Sequence, residues 1–299
     1  MIKSGIIVAI LCLIFVSCNK NQDEAELNYS GKPQKVLTLG PNCSELFVAL
    51  GLTEYIIGNT LDNHSRGALE EYQDAYETIP ELNYGSATRE AVLSSGADFI
   101  YGIDWEFGDE GLNIEELNDY GITTYVNSAT TMDEIYKEIS DLGEIFQIED
   151  KAAALIADQK ARIKAIEETI SIAEPVKVLV YDSGGEGVFT CGGSNFETLL
   201  IEMAGGKNIF DDILDKQWAT VSYEEVLGRE PDVILIHDYD SPSLEDKIQA
   251  IRSDPALSQL DCVQEGRFVP IALESVLPGI RMAYAAEQMS KGFHPELFP

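Results

Sequence analysis

Two glutamates occupy matching positions in a segment that the sequence contains twice. The segments TREAVLSSGADFIYG, from position 88, and SYEEVLGREPDVILI, from position 222, align when Asp98 is placed on Asp232, 134 residues later. Glu90 then falls on Glu224. Each segment predicts a helix followed by a buried strand, and each glutamate lies in the first helical turn, where the helix dipole stabilises an exposed carboxylate. The sequence therefore places one acidic group at an equivalent point in each half of the chain.

The neighbours of these glutamates suggest two different roles. Ser222 and Glu225 have the spacing of a capping box, so Glu225 is expected to stabilise the start of its helix. Glu90 and Glu224 are candidates for contacting a partner. Helix stability alone is the alternative for both, because glutamate is common in first turns.

A second group of candidates lies at a junction between a strand and a helix. The run KVLTLG (35–40) predicts a short strand, and PNCSELFVALGL predicts the helix that follows. Asn42, Cys43 and Ser44 lie at this junction, where free backbone N–H groups can bind an acceptor. They are candidates for ligand binding, and an ordinary helix cap is the alternative.

Four further side chains have types suited to a flat or chelated ligand. Trp105 directly follows the predicted strand FIYG, and Trp218 precedes the second copy of the repeated unit. One tryptophan beside each equivalent element suggests aromatic walls, with core packing as the alternative. Tyr239 follows the strand VILIHDY, and Arg281 could hold a carboxylate, a phosphate or a chelate oxygen. A salt bridge within this acidic protein is the alternative for Arg281.

Strands alternating with helices position these residues in both halves. This pattern predicts α/β lobes with mainly parallel sheets, in which ligands lie outside the carboxyl ends of the strands. The best-defined predicted strands are at 35–40, 54–60, 122–127, 176–182 and 268–272. The longest predicted helices are at 131–146 and 278–293, the second with Pro278 in its first turn.

A single long helix separates the halves. The segment 148–173 contains no glycine or proline. Helical spacing places four of its apolar residues on one side: Leu155, Ile163, Ile166 and Ile170. It predicts one helix of about 24 residues, roughly 36 Å long. The fold class is therefore α/β, with two Rossmann-like lobes joined by one long α-helix and a ligand cleft between the lobes. The expected domains are an N-terminal lobe at 35–147, a connecting helix at 148–173 and a C-terminal lobe at 174–299.

The composition excludes several kinds of partner. The 299 residues include 52 acidic and 20 basic side chains, a formal charge of -32. Nucleic-acid binding needs a basic surface, so we expect no nucleic-acid partner. The same charge disfavours peripheral binding to anionic lipids. The dispersed acidic residues indicate a soluble, self-repelling surface.

The first 34 residues predict export and anchoring. MIKSGIIVAILCLIFVSC has one early lysine and then an uncharged apolar run too short for a comfortable bilayer span, the layout of a signal peptide at 1–17. The ending FVSC resembles a bacterial lipobox, which implies lipidation of Cys18. The polar segment 18–34 is expected to be a flexible tether, and the localisation extracytoplasmic and lipid-anchored to the membrane. An uncleaved signal anchor is the alternative.

Cysteine spacing and motifs disfavour metal sites and enzymes. Cys43, Cys191 and Cys262 match no zinc-site spacing and are expected to be free, buried thiols. His64, His237 and Asp238 could contribute to a bare-metal site, but three histidines in the whole chain make this the weaker alternative.

The sequence contains no P-loop, no GxGxxG after a strand, no GxSxG and no HExxH, so we expect no enzyme activity and no cofactor.

The chain resembles the substrate-binding lipoproteins of ABC importers for iron–siderophore, haem and cobalamin. The resemblance covers about 35–298 and rests on VLTLGPNCSELFVALGL, the two repeated units, FTCGGSNFETLLIEMAGGKNIFDDI, KQWATVSYEEVLGREPDVI and GIRMAYAAEQMSKGFHPELF. It implies a monomer with two lobes on a rigid helix, which delivers its ligand to an ABC permease dimer with its ATPase. It also implies that Glu90 and Glu224 contact arginines on the permease.

The expected ligand is a metal chelate. A highly anionic tris-catecholate needs several basic residues, and the candidate cleft region offers only Arg66, Lys216 and Arg281. This favours a hydroxamate siderophore or a corrinoid over a catecholate, with haem less favoured. Two alternatives are a zinc- or manganese-binding lipoprotein and a ligand sensor for a membrane receptor.

Overall fold

The computed structural model describes residues 31–62, 65–108 and 111–298. The predicted signal peptide, Cys18, the tether up to position 30 and His64 lie outside the described residues. Within the described ranges, no helix combines the length and the apolar character that crossing a bilayer requires.

The first half of the chain builds a parallel sheet of five strands with helices around it. The strand order is β3-β2-β1-β4-β5, as in a Rossmann-like lobe. The strands are β1 Val36–Leu39, β2 Ile56–Leu61, β3 Glu81–Tyr84, β4 Phe99–Ile103 and β5 Thr123–Asn127. The helices are α1 Pro41–Ala49, α2 Gln73–Tyr76, α3 Arg89–Ser95, α4 Ile114–Asp119 and α5 Met132–Ile145.

Helix α6, Glu149–Ile170, occupies the predicted connecting segment. It packs against α5 on one side and against the last helix of the chain on the other. Ala152, Gln159, Ile163 and Ile166 are its buried residues, so only a narrow stripe faces the protein. Of the four apolar residues that the sequence pattern placed on one side, Ile163 and Ile166 are buried, and Leu155 and Ile170 are half-buried.

The second half contains a four-stranded parallel sheet, β12-β11-β6-β9, and a three-stranded antiparallel sheet, β10-β8-β7. The strands are β6 Val176–Tyr181, β7 Ser183–Gly184, β8 Val188–Cys191, β9 Gly206–Asn208, β10 Trp218–Val221, β11 Val233–Asp238 and β12 Phe268–Ala272. The helices are α7 Phe196–Met203, α8 Tyr223–Arg229, α9 Leu244–Ser253, α10 Asp261–Gln264 and α11 Met282–Phe293. The fold class predicted from the sequence is confirmed.

The repeated segment has the same structural role in both lobes. The backbone N–H of Asp98, which precedes β4, donates to the carbonyl of Lys35, and its carboxylate accepts the N–H of Lys35 at 2.9 Å. Asp232, which precedes β11, makes the same two contacts with Lys177, both at 2.8 Å. Each aspartate therefore fixes the start of its strand beside the neighbouring parallel strand.

Two features of the second half differ from the predictions. The last helix begins at Met282 and not near Pro278, because the carbonyl of Pro278 accepts the side-chain N–H of Asn42 at 2.9 Å and is not part of a helical turn. The antiparallel sheet was not predicted, because its strands are short and lie between glycine-rich turns.

The C-terminal ends of α3 and α8 lead to a stability prediction. Both helices end in a left-handed residue, which is Gly96 (φ 74°) in α3 and Glu230 (φ 49°) in α8. A side chain with a Cβ is strained in this conformation by about 1 kcal/mol. We therefore expect Glu230→Gly to raise the free energy of unfolding by about 1 kcal/mol in urea denaturation.

The matched control is Gly96→Ala. A Cβ at Gly96 would meet only the Lys35 ammonium, at 4.0 Å, so any cost there is conformational and not steric. This variant should lose a comparable free energy. Equal stability of Glu230→Gly and the unchanged protein would contradict the strain argument.

Candidate ligand cleft

An open cleft lies between the lobes, at the carboxyl ends of their parallel strands. A cavity of about 330 Å³ and an adjoining cavity of about 320 Å³ share Trp105, Trp218 and Leu277. Further lining residues come from both lobes: Ile103, Asp104 and Asn127 from the first, and Asp182, Phe189 and Gln217 from the second. The structure thus places both predicted tryptophans on one surface.

The two tryptophans are held in different ways. Trp105 lies in a short 3₁₀ turn after β4 and is 48% exposed. Its neighbour Glu106 is buried and accepts the backbone N–H of Ala87 at 2.8 Å, which anchors the turn. Trp218 opens β10 and stacks on Phe189, with ring centroids 5.6 Å apart. Together they offer the flat aromatic surface that suits a large planar ligand.

A buried carboxylate shapes the wall of the first lobe. Glu138 of α5 accepts the backbone N–H groups of Ser128 and Ala129, which line the cleft, at 3.2 and 3.1 Å. It also accepts the side-chain N–H of Asn127 at 2.7 Å and the hydroxyl of Tyr101 at 3.0 Å. Burial raises the pKa of Glu138, and these hydrogen bonds oppose that rise. The loop after β5 is therefore fixed by a fully bonded buried group.

A buried histidine supports the wall of the second lobe. His237 contacts Asp182 through Nδ1 at 3.0 Å and Glu197 through Nε2 at 2.9 Å. Burial disfavours its charged form, but the two carboxylates outweigh this effect and raise its pKa to about 9. The imidazolium lies edge-on to Trp218, with ring centroids 5.7 Å apart. Both ring nitrogens are occupied, so neither is available to a metal ion.

Tyr239 contacts the buried side of Asp182 and does not line the cleft. It is 5% exposed, and its hydroxyl donates to the carboxylate of Asp182 at 3.2 Å. The ammonium of Lys247 lies 3.2 Å from the centre of its ring and donates to the carbonyl of His237 at 2.7 Å. Direct ligand contact by Tyr239 is therefore disfavoured, and holding Asp182 in place is its evident role.

The predicted group at the start of α1 also lies in the interior. Cys43 and Ser44 are fully buried, and the hydroxyl of Ser44 pairs with that of Thr38 at 2.9 Å. Asn42 is 4% exposed and donates to Asn127 and to the carbonyl of Pro278. Its contacts join the two lobes behind the cleft. Ligand contact by these three side chains is disfavoured, because all three are buried and the Ser44 hydroxyl and the Asn42 amide N–H groups bond within the protein.

Arg281 takes the alternative role, an internal salt bridge. Its guanidinium is 7% exposed and pairs with Glu45 and with Glu274, the latter at 3.4 Å. It also donates to the carbonyl of Gly67. Arg66 likewise pairs with acidic residues of the second lobe. Neither arginine lines the described cavities.

Glu90 and Glu224 are exposed in the first turns of α3 and α8. The cap of α3 is Thr88, whose hydroxyl accepts the N–H of Ala91, and Glu90 takes no part in it. In α8 the capping box between Ser222 and Glu225 is confirmed. A partner contact by Glu90 and Glu224 stays a prediction.

The three thiols in the described part of the chain have low reactivity. Cys43, Cys191 and Cys262 are free and buried, as expected, and burial raises the pKa of each, to about 11 for Cys262. Among the residues with described positions, no group of three or more histidine, cysteine, aspartate or glutamate side chains is arranged to hold a metal ion.

Asp104, Asp182 and Phe189 were not predicted as cleft residues. A signal for both aspartates is present in the sequence, because each directly follows a buried strand of a parallel sheet. Phe189 gave no such signal, since its position depends on the short antiparallel sheet.

Two α/β lobes around an aromatic-walled cleft define a two-lobed ligand-binding protein. The Periplasmic binding protein family model matches residues 36–272, so the chain belongs to this family. It is 25% identical over 283 residues to an uncharacterized ABC transporter substrate-binding lipoprotein, YvrC, of Bacillus subtilis (strain 168), covering 93% of this chain and 84% of that one. It is 24% identical over 210 residues to the vitamin B12-binding protein of Vibrio campbellii, covering 69% and 71%.

Solved structures agree with this assignment of the fold. A periplasmic binding protein from Veillonella parvula superposes with a TM-score of 0.82 at 24% identity, over 89% of this chain and 93% of that one. The fold of this chain therefore agrees with its membership of the periplasmic binding protein family.

His237 gives the stability of the protein a pH dependence with a definite sign. Its pKa is raised from 6.5 to about 9, so the folded state keeps a proton that the unfolded state releases above about pH 6.5. The stabilisation is complete below that pH and is lost as the pH rises towards 9. We expect the free energy of unfolding to fall by about 1–2 kcal/mol between pH 6.5 and 8, measured by urea titration.

The control is His237→Gln, which cannot titrate and should show a flat dependence over the same range. The range stops at pH 8 because burial lowers the pKa of Lys247 to about 8, and its deprotonation acts in the opposite direction above that pH. A decline in the variant as steep as in the unchanged protein would assign the effect to another group.

Proposed function

We propose that this chain is the extracytoplasmic substrate-binding protein of an ABC importer, which captures a metal chelate, an iron–siderophore or a corrinoid, and delivers it to the permease. The observation that carries the proposal is the pairing of Trp105 and Trp218, which come from different lobes and line the same two cavities. A ligand between them would contact both lobes at once.

The chemistry of the walls supports a large ligand with apolar faces. The tryptophans and Phe189 supply aromatic area, and Asn127 and Gln217 supply amide groups that can bind peripheral carbonyls or amides. Corrinoids and hydroxamate chelates both combine an apolar body with such groups. The vitamin B12-binding relatives favour a corrinoid as the first ligand to test.

The proposal includes the anchor and the membrane partner. Cys18 would carry the lipid, and the segment from 18 to 34 would tether the folded lobes to the outer face of the membrane. The chain would act as a monomer, without a cofactor of its own. Glu90 and Glu224 would contact basic residues of the permease, since they are exposed and lie at equivalent points of the two lobes.

Ligand binding can be measured by intrinsic fluorescence, because the chain has only two tryptophans and both line the cleft. Titration of residues 19–299 with cobalamin or a ferric hydroxamate is expected to give saturable quenching at sub-micromolar concentration. The single-tryptophan variants Trp105→Phe and Trp218→Phe should each keep part of the quenching and bind more weakly, by roughly threefold to tenfold, because each loses part of one aromatic wall.

Absorbance by the chromophores is corrected with the same titration of urea-unfolded protein. Saturable quenching by one ligand class identifies that class. A folded protein with no response to cobalamin, haem, hydroxamate or catecholate chelates would overturn the proposal that the cleft binds a metal chelate.

Docking on the permease can be tested separately from binding. The double charge reversal Glu90→Arg with Glu224→Arg is expected to reduce chelate uptake by cells at least tenfold, because like charges would face each other at both contacts. Ligand affinity in solution should not change, since neither residue lines the cleft.

The matched control reverses Glu149 and Glu245, which also lie in first turns and are exposed. This control should leave uptake intact. Normal uptake by the Glu90 and Glu224 variant would reject the docking role, and so would a loss of affinity in solution.

A further inference from the structure

Three basic side chains near the junction of the lobes, Arg66, Arg281 and His237, each contact two carboxylates. Arg66 pairs with Asp238 at 2.9 Å and with Asp240 at 2.7 Å. Because one cation faces two anions, the cluster has a net negative charge. Arg66 reaches this cluster from the first lobe, whereas both aspartates belong to the second, so the cluster joins the two lobes.

The same ratio occurs twice more. Arg281 contacts Glu45 and Glu274, and both carboxylates are 1% exposed. His237, whose pKa is about 9, contacts Asp182 and Glu197. Of these groups, Asp182 lines the cleft directly. Arg66 and Arg281 therefore each face one carboxylate more than their own charge balances. Beside His237 the charges are balanced, because the ammonium of Lys247 donates to the carbonyl of His237 and adds a second cation.

The cleft surface adds a further negative group. Asp104 lies between Ile103 and Trp105 on the lining of the larger cavity and is half-buried. It forms no salt bridge with any residue whose position is described. Among the residues that the structure describes, no lysine or arginine lines either cavity. A bound ligand would therefore meet carboxylates and aromatic faces, and both favour positive charge.

We infer that the cleft selects by charge: it binds a chelate with a cationic group more tightly than a neutral chelate of the same body, and it excludes anionic chelates. This inference rests on the proposed function and names the ligand class within it. An anionic catecholate complex or the propionates of haem would find no lysine or arginine among the residues that line these two cavities. A cationic group near Asp104 would be held by the carboxylate and by the face of Trp105.

The test compares chelates that differ only in charge. Calorimetric titration of the full chain, in a non-ionic detergent at pH 6.5, would use two matched pairs. One pair is a ferric trihydroxamate with a free ammonium arm and the same complex with that amine acetylated. The other is aquacobalamin, a cation, and cyanocobalamin, which is neutral. Haem and a ferric tris-catecholate represent the anions.

In at least one pair, the cationic member is expected to bind about tenfold more tightly than the neutral member in 50 mM salt. This advantage should shrink in 500 mM salt, because exposed charges are then screened. The variant Asp104→Asn should remove most of the preference for the cationic member. Glu144→Gln is the control, since it removes the same charge from an exposed site on α5 that does not line the cleft.

The possible failures are distinguishable. Equal affinity within both pairs, or tighter binding of an anionic chelate, would overturn the charge inference and leave the binding of a metal chelate standing. A cation preference that Asp104→Asn and Glu144→Gln reduce equally would also overturn it, because the effect would then belong to the net charge of the protein. Binding of none of these chelates would overturn the proposed function, and the charge inference with it.

Discussion

The buried ion pair of Arg281 fixes how the two lobes meet, and the shape of the cleft depends on it. The guanidinium bonds to Glu45 and Gly67 of the first half and to Glu274 of the second. All these charges are almost fully buried, and a buried charge that loses its partner costs about 3–5 kcal/mol. The lobes therefore cannot separate at this point without a large loss.

Each wall of the cleft rests on a buried carboxylate. Glu138 organises the loop after β5 in the first lobe, and Glu197 holds His237 and, through it, Asp182 in the second. Hydrogen bonds to both oxygens of Glu138 and to Oε1 of Glu197 confine the surrounding backbone and side chains. The cleft surface is thus held by a carboxylate bonded to backbone N–H groups in the first lobe, and by a carboxylate paired with a histidine in the second.

The sequence predicted the parts of the structure that depend on local pattern. The alternation of apolar strands and helices, the absence of glycine and proline from α6, and the repeat that places Asp98 and Asp232 before equivalent strands are all local signals. The cleft positions of Trp105 and Trp218 followed from their places beside equivalent elements. This reasoning works because the carboxyl ends of parallel strands meet at one edge of a sheet.

The predictions that failed depend on contacts between distant parts of the chain. Arg281 and Glu45 are 236 residues apart, so no local pattern shows that this arginine is already paired. The late start of α11 has the same cause, since Asn42 takes the carbonyl of Pro278 from a position 236 residues away. Cys43 and Ser44 occupy the strand-to-helix junction that the pattern indicated, but their side chains are fully buried and do not line the cleft.

The local charge of the cleft and the charge of the whole chain act over different distances. A surface charge is screened within about 8 Å at physiological ionic strength, so the formal charge of -32 mainly prevents association with anionic surfaces and affects the approach of ligands. Asp104 is half-buried beside aromatic side chains, where screening is weaker and the carboxylate acts directly on a bound group. Only such local groups can discriminate between chelates of the same size. The acidic surface and the carboxylates of the cleft therefore have separate consequences: the surface repels like charge, and under the proposed function the cleft would determine which chelate stays bound.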